Sequence, residues 1–321
     1  MRLLKLVPDN TNLGFVSLRF WAFGLTALLT ILATAMVLTR GLNLGVDFVG
    51  GLMIEAKFEQ PPHLDQVRQK IDALHAGDAL LQQFGGQDTV SIRLPLPQSN
   101  DEGASNALIK KVTATLQQNY PGVTISRADT VSGKVSEELI WRGIGAVFAA
   151  VFGIALFGIV RFEWQFGICT FVAVMHDVLM TLGFFAITRL EFDLNIVAAV
   201  LTIIGYSIND KIVIDDRIRE NLRKYRQMDI RTLIDLSVNE TLPRTIMTSL
   251  TILLALAALL LFGGHVLRGF TAAMMLGIVV GTYSSIYVSS SLLITLGLGR
   301  HRADVRADPP SKAERVGRPT P

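Results

Sequence analysis

Six runs of this chain are long, apolar and nearly free of charge, and they dictate what it can fold into. They occupy residues 20–40, 141–160, 165–188, 194–216, 244–264 and 268–298. At 1.5 Å per residue, a helix of such length crosses a hydrocarbon layer of roughly 30 Å. Lipid offers the backbone no hydrogen bonds, so a lone spanning segment must satisfy its own as a helix. The expected fold class is an α-helical polytopic membrane protein with six transmembrane helices. The first run reads as a retained anchor, because Arg40-Gly41-Leu42-Asn43 lacks the small-x-small pattern of a signal cleavage site.

Lys and Arg placement sets the expected orientation. The amino-terminal tail, residues 1–19, holds Arg2, Lys5 and Arg19. The amphipathic connection at 217–243 holds Arg217, Arg219, Arg223, Lys224, Arg226 and Arg231, and the basic tail at 299–321 adds six more cations. With six spans these three segments share one side, which the positive-inside rule assigns to the cytoplasm. Residues 41–140, net acidic, then fall outside. The pI near 9.1 reflects this topology and gives no support to a nucleic-acid partner. Cys169 is the single cysteine, so neither a disulfide nor a thiolate metal site is expected.

The outside segment reads as a domain. Residues 51–59 alternate Leu52, Ile54, Ala56 and Phe58 against Met53, Glu55 and Lys57, the period of a half-buried strand. Leu64, Val67, Ile71 and Leu74 line one helical face. Residues 79–84 and 89–94 flank a Gly-Gly-Gln-Asp turn as a hairpin. Residues 101–119 form a second helix stopped by Tyr120-Pro121-Gly122, and 123–128 alternate again. The order β-α-β-β-α-β is that of an α+β ferredoxin-like head between spans 1 and 2. Before it, Gly45, Asp47, Gly50 and Gly51 read as a tight turn that Asp47 fixes.

Charged residues inside spans cost at least ~2.5–3.5 kcal/mol on insertion scales, and they face a bundle interior or an aqueous path. Asn209, Asp210 and Lys211 sit together in the fourth span, and His176-Asp177 in the third. The latter pair reads equally as a proton relay or as an interhelical hydrogen bond. Arg244 opens the fifth span, either as a positive anchor or as a partner for Asp210. Lys211 and Asp215, four residues apart, are expected to neutralise one another on one helix face. Gly277 and Gly281 form a GxxxG, and Ala149 with Gly153 a small-xxx-small pair, both read as close helix packing. No GxxxxGK[ST], catalytic triad or metal-ligand cluster is present, so no enzyme activity, cofactor or metal is expected.

Several motifs in order resemble the SecF family, the smaller membrane subunit of the bacterial SecD–SecF translocation complex. They are GVDFVGG at 45–51, His176-Asp177-Val178, GYSIND at 205–210, DRIREN at 216–221, the Asn239-Glu240-Thr241-Leu242-x-Arg244-Thr245 stretch and GTYSSIY at 281–287. The resemblance implies the resistance–nodulation–division superfamily and use of the proton-motive force to help draw secreted chains across the inner membrane. It implies as partners SecD, the SecY–SecE–SecG channel, YajC, the exported unfolded polypeptide and membrane lipid. It also makes Asp210 the intramembrane aspartate and Arg244 its arginine. Lys211 stands where a small neutral residue is usual, Asp215 where an aromatic or apolar one is, and Val49 replaces a hydroxyl residue. The Gly-Pro pair usual before the second span is absent from residues 129–139. The alternative is a half-sized proton-coupled exporter of a small molecule or lipid.

Overall fold

The computed structural model describes residues 8, 11–83, 86–97, 102–264 and 267–298. The expected basic tail at 299–321, residues 1–7, 9 and 10 of the amino-terminal tail, and residues 84 and 85 of the hairpin lie outside the described residues.

Six helices among the described residues are long and apolar enough to cross a membrane. The first runs from Val16 to Arg40, and its α-helical part is α1 (Arg19–Arg40). After a four-residue helix α2 (Val46–Val49) and the head come α5 (Gly133–Arg161), α6 (Trp164–Thr188), α7 (Leu194–Lys224) and α8 (Ile230–Phe262). The last span begins as α9 (Arg268–Tyr283), widens to a π-helix over Ser284–Ser289 and ends as α10 (Ser290–Thr295). Exposure of Trp141, Phe148 and Phe152 along α5 suits a lipid-facing surface.

Part of the expected amino-terminal tail and the expected amphipathic connection are packed structure. Residues 217–243 are not a separate connection, since α7 and α8 run on as helices and only residues 225–229 separate them. Residues 11–18 dock on α8 rather than forming a tail. The Leu13 amide donates to Asn239 Oδ1 at 3.0 Å, Asn239 Nδ2 donates back to the Leu13 carbonyl at 2.9 Å, and the Val16 amide donates to Asp235 Oδ1 at 2.9 Å. Phe15 and Val16 are buried in a cluster with Leu233, Val238 and Ile286.

The head comprises β1 (Gly51–Lys57), α3 (Leu64–Asp72), β2 (Leu80–Gln83), β3 (Thr89–Leu94), α4 (Glu102–Asn119) and β4 (Thr124–Val131). Its antiparallel sheet has the order β2-β3-β1-β4, as a ferredoxin-like sandwich requires. Leu52, Ile54, Val67, Ile71, Val90, Ile92, Val112 and Leu116 form its core. Because this core is the head's own, a soluble fragment of residues 45–135 is expected to unfold in one cooperative transition by circular dichroism. A broad, non-cooperative melt would contradict that independence.

One face of the sheet departs from the alternating pattern. Met53 and Glu55, expected to face water, are 1% and 2% exposed, because the bundle covers the sheet from below. The Gly-rich turn fixes this seat. Gly50 and Gly51 adopt φ of 76° and 123°, and a Cβ on Gly51 would lie 2.7 Å from the Leu94 carbonyl oxygen. Asp47 Oδ2 accepts from the Leu194 amide at 2.9 Å, tying the turn to the start of α7.

Candidate functional site

A fully buried polar cluster is built from α6, α7 and the π-helix. Asp177 and Lys211 are fully buried, with Lys211 Nζ 3.1 Å from Asp177 Oδ2. A lysine ammonium carries three donors. Here they meet Asp177, Ser207 Oγ in a short contact, and Ser284 Oγ at 3.1 Å. Ser207 and Ser284 also donate to Asp177 Oδ2, the latter at 2.9 Å, and His176 Nδ1 lies 3.1 Å from Asp177 Oδ1. His176 Nε2 has no hydrogen-bond partner.

Backbone geometry explains why these groups meet. Helical side chains lean toward the helix amino terminus, so Lys211 reaches back one turn to Ser207. Gly281 lets α9 approach α7 there: a Cβ on it would stand 3.0 Å from Ser207 Oγ, and one on Gly277 would stand 2.5 Å from Ile203. The wider π turn beginning at Ser284 follows directly, and such turns recur at functional sites.

The expected site residues are thus brought together only in part. Lys211 pairs with Asp177 on the neighbouring helix, not with Asp215 on its own. Asp215 is itself buried, one turn further along α7. Asp210 is 3% exposed and its Oδ2 has no hydrogen-bond partner. No ion pair among the described residues joins it to Arg244. Arg244 instead lines a groove on the side opposite the head, with Asp216, Arg217, Glu220 and Glu240. Asn209 is exposed on the bundle surface. The small-residue pair Ala149 and Gly153, expected to pack closely, does not do so within this chain: both are exposed, and a Cβ on Gly153 would meet nothing within 4 Å. Close packing of α5 on α6 uses Gly158 and Gly167 instead, where a Cβ on Gly158 would lie 3.1 Å from the Gly167 Cα.

Other polar motif residues clasp the α7–α8 hairpin. Glu240 Oε2 accepts from Arg217 Nε and Asn221 Nδ2, each at 2.7 Å, and Asn221 also donates to Ser237. A further hydroxyl line crosses α7, α8 and α9 through Tyr206, Ser249 and Thr282, at 3.0 and 2.9 Å.

Comparison with known proteins gives this bundle its context. Residues 111–299 match the family described as protein export membrane protein SecD/SecF, C-terminal, and residues 35–62 match the SecD/SecF GG motif. The chain is 40% identical to protein translocase subunit SecF of Rhodobacter capsulatus, over 96% of each chain. It is 42% identical to the SecF of Rickettsia bellii, over 90% of this chain and 95% of that one. The crystal structure of SecDF from Thermus thermophilus is 35% identical with a TM-score of 0.81, covering 91% of this chain and 39% of that one. SecDF in a super-membrane-facing form is 34% identical with a TM-score of 0.68, covering 93% and 40%. The chain thus spans about two fifths of those SecDF polypeptides. Fold and relatives together define a multi-pass membrane component of the protein-export machinery. Within that class, the chain belongs to the SecF family of translocase subunits.

Proposed function

We propose that this chain, assembled with a SecD-like partner, uses the proton-motive force to promote late steps of protein export through the SecY–SecE–SecG channel. YajC is placed in the same assembly. The reading puts the chain in the bacterial inner membrane, with both termini cytoplasmic and the head periplasmic. The observation that carries it is the ionisable cluster inside the bundle: a buried Asp177–Lys211 pair with an unpartnered Asp210 oxygen beside it on the same helix. Such groups within a span face each other or a water path, and proton relays are built from them.

In this reading Asp210 is the carboxylate that takes up and releases the proton. A carboxylate approached by a guanidinium favours its charged form, and one left in an apolar setting favours its neutral form. Arg244, unpaired with Asp210 in this conformation, is the moving cation. The guanidinium has a planar fork that an ammonium lacks. Arg244→Lys is therefore expected to keep membrane levels normal yet lose most proton-driven stimulation of export; full activity would make Arg244 a mere positive anchor. The function itself is tested by translocation of a labelled precursor into vesicles carrying the chain with its partner. A protonophore should remove the increment that this chain adds, and an increment indifferent to the protonophore would reject the proposal.

A further inference from the structure

The covered face of the head sheet holds a charged cluster with more acids than bases. Glu55 of β1, Arg93 of β3, and Arg127 and Asp129 of β4 face Glu191 and Asp193 of the α6–α7 loop. Arg93 pairs with Glu191 at 3.0 Å and donates to the Leu44 carbonyl at 2.8 Å; Arg127 pairs closely with Asp129. Asp193 caps α7, accepting from the Ile196 amide and from Asn195 Nδ2, each at 3.0 Å. Asp47 lies beyond it on the Leu194 amide. The wall is closed by Ile196 of α7 and by Gly269 and Phe270 of α9, with Arg268 at the start of that helix. The remaining gap, ≈ 20 Å³, has room for about one water molecule.

Glu55 is the group left over. It is 2% exposed and its Oε2 has no hydrogen-bond partner. A buried carboxylate with an oxygen left unbonded is costlier ionised than protonated, even with Arg127 opposite it. We propose that Glu55 is a proton-operated latch: the head seats on α7 and α9 when Glu55 is protonated and lifts when it ionises. The seat is well placed to signal, because α7 carries Asp210 and Lys211, and Gly281 at the end of α9 packs against Ser207.

The direction of the pH effect follows from burial. Burial is the largest influence on Glu55, Glu191 and Asp193, and it holds all three above their ordinary carboxylate range despite Arg127 and Arg93. Once undocked and hydrated they return to ordinary values. Docking therefore takes up protons, is favoured below the ordinary carboxylate pKa, and weakens as pH rises through the raised values.

The test uses spin labels at Gln117 on the head and Thr188 at the head-side end of α6, in the chain reconstituted with its SecD-like partner. The native Cys169 is fully buried and can stay. The label–label distance should be short and narrow at pH 4, and should lengthen and broaden by pH 8. In Glu55→Gln, which has no charge to bury at that position, the distance should lengthen markedly less than in the wild type by pH 8, the remainder coming from Glu191 and Asp193. A wild-type distance unchanged across this range would overturn the latch, as would an unaltered pH response in Glu55→Gln. The distance readout needs no transport, so it stands or falls separately from the export function.

Discussion

Lys211→Met is expected to destabilise the bundle by about 3–5 kcal/mol, because it leaves the Asp177 carboxylate fully buried without its cation. Adding Asp177→Asn should restore most of the loss: an amide oxygen still accepts from Ser207 and Ser284, and no charge remains. The measurement is thermal unfolding of the detergent-solubilised protein across the double-mutant cycle. Strong non-additivity is expected for Lys211 with Asp177, and much weaker coupling for Lys211 with Asp215. Additive effects for the first pair would remove the ion pair from the account.

Asp210→Asn is expected to abolish proton-driven stimulation of export, down to the level of vesicles lacking the chain, while leaving membrane insertion and partner binding intact. The substitution preserves shape, and Asp210 Oδ2 makes no hydrogen bond whose loss would unfold the bundle. Wild-type stimulation by the Asn variant under a full proton-motive force would exclude Asp210 from the proton path.

The six spans and the head were legible in the sequence because hydrophobic length and periodicity report burial directly. The hidden features all depend on elements remote in sequence. Alternation along β1 shows one covered face, but the second cover comes from the 190–196 region and the start of α9, so Glu55 reads as a surface residue. Spacing within α7 pairs Lys211 with Asp215, whereas Asp177 and Ser284 are supplied by two other helices. Small-residue spacing marks Ala149 and Gly153 equally with Gly277 and Gly281, and only the direction each faces separates lipid from helix. Asn239 carries no sign in its own helix that it holds residues 11–18. The π-helix has no hydrophobic period of its own; the five serines from Ser284 to Ser291, within an apolar span, are its nearest trace.

Proton movement through this bundle is the central claim, and it is read most directly in vesicles holding the chain with its SecD-like partner and a pH-sensitive dye. An imposed proton gradient should drive uptake in the wild type and none above empty vesicles in Asp210→Asn. Equal uptake by both proteins, or none by either while precursor export still responds to the gradient, would contradict it.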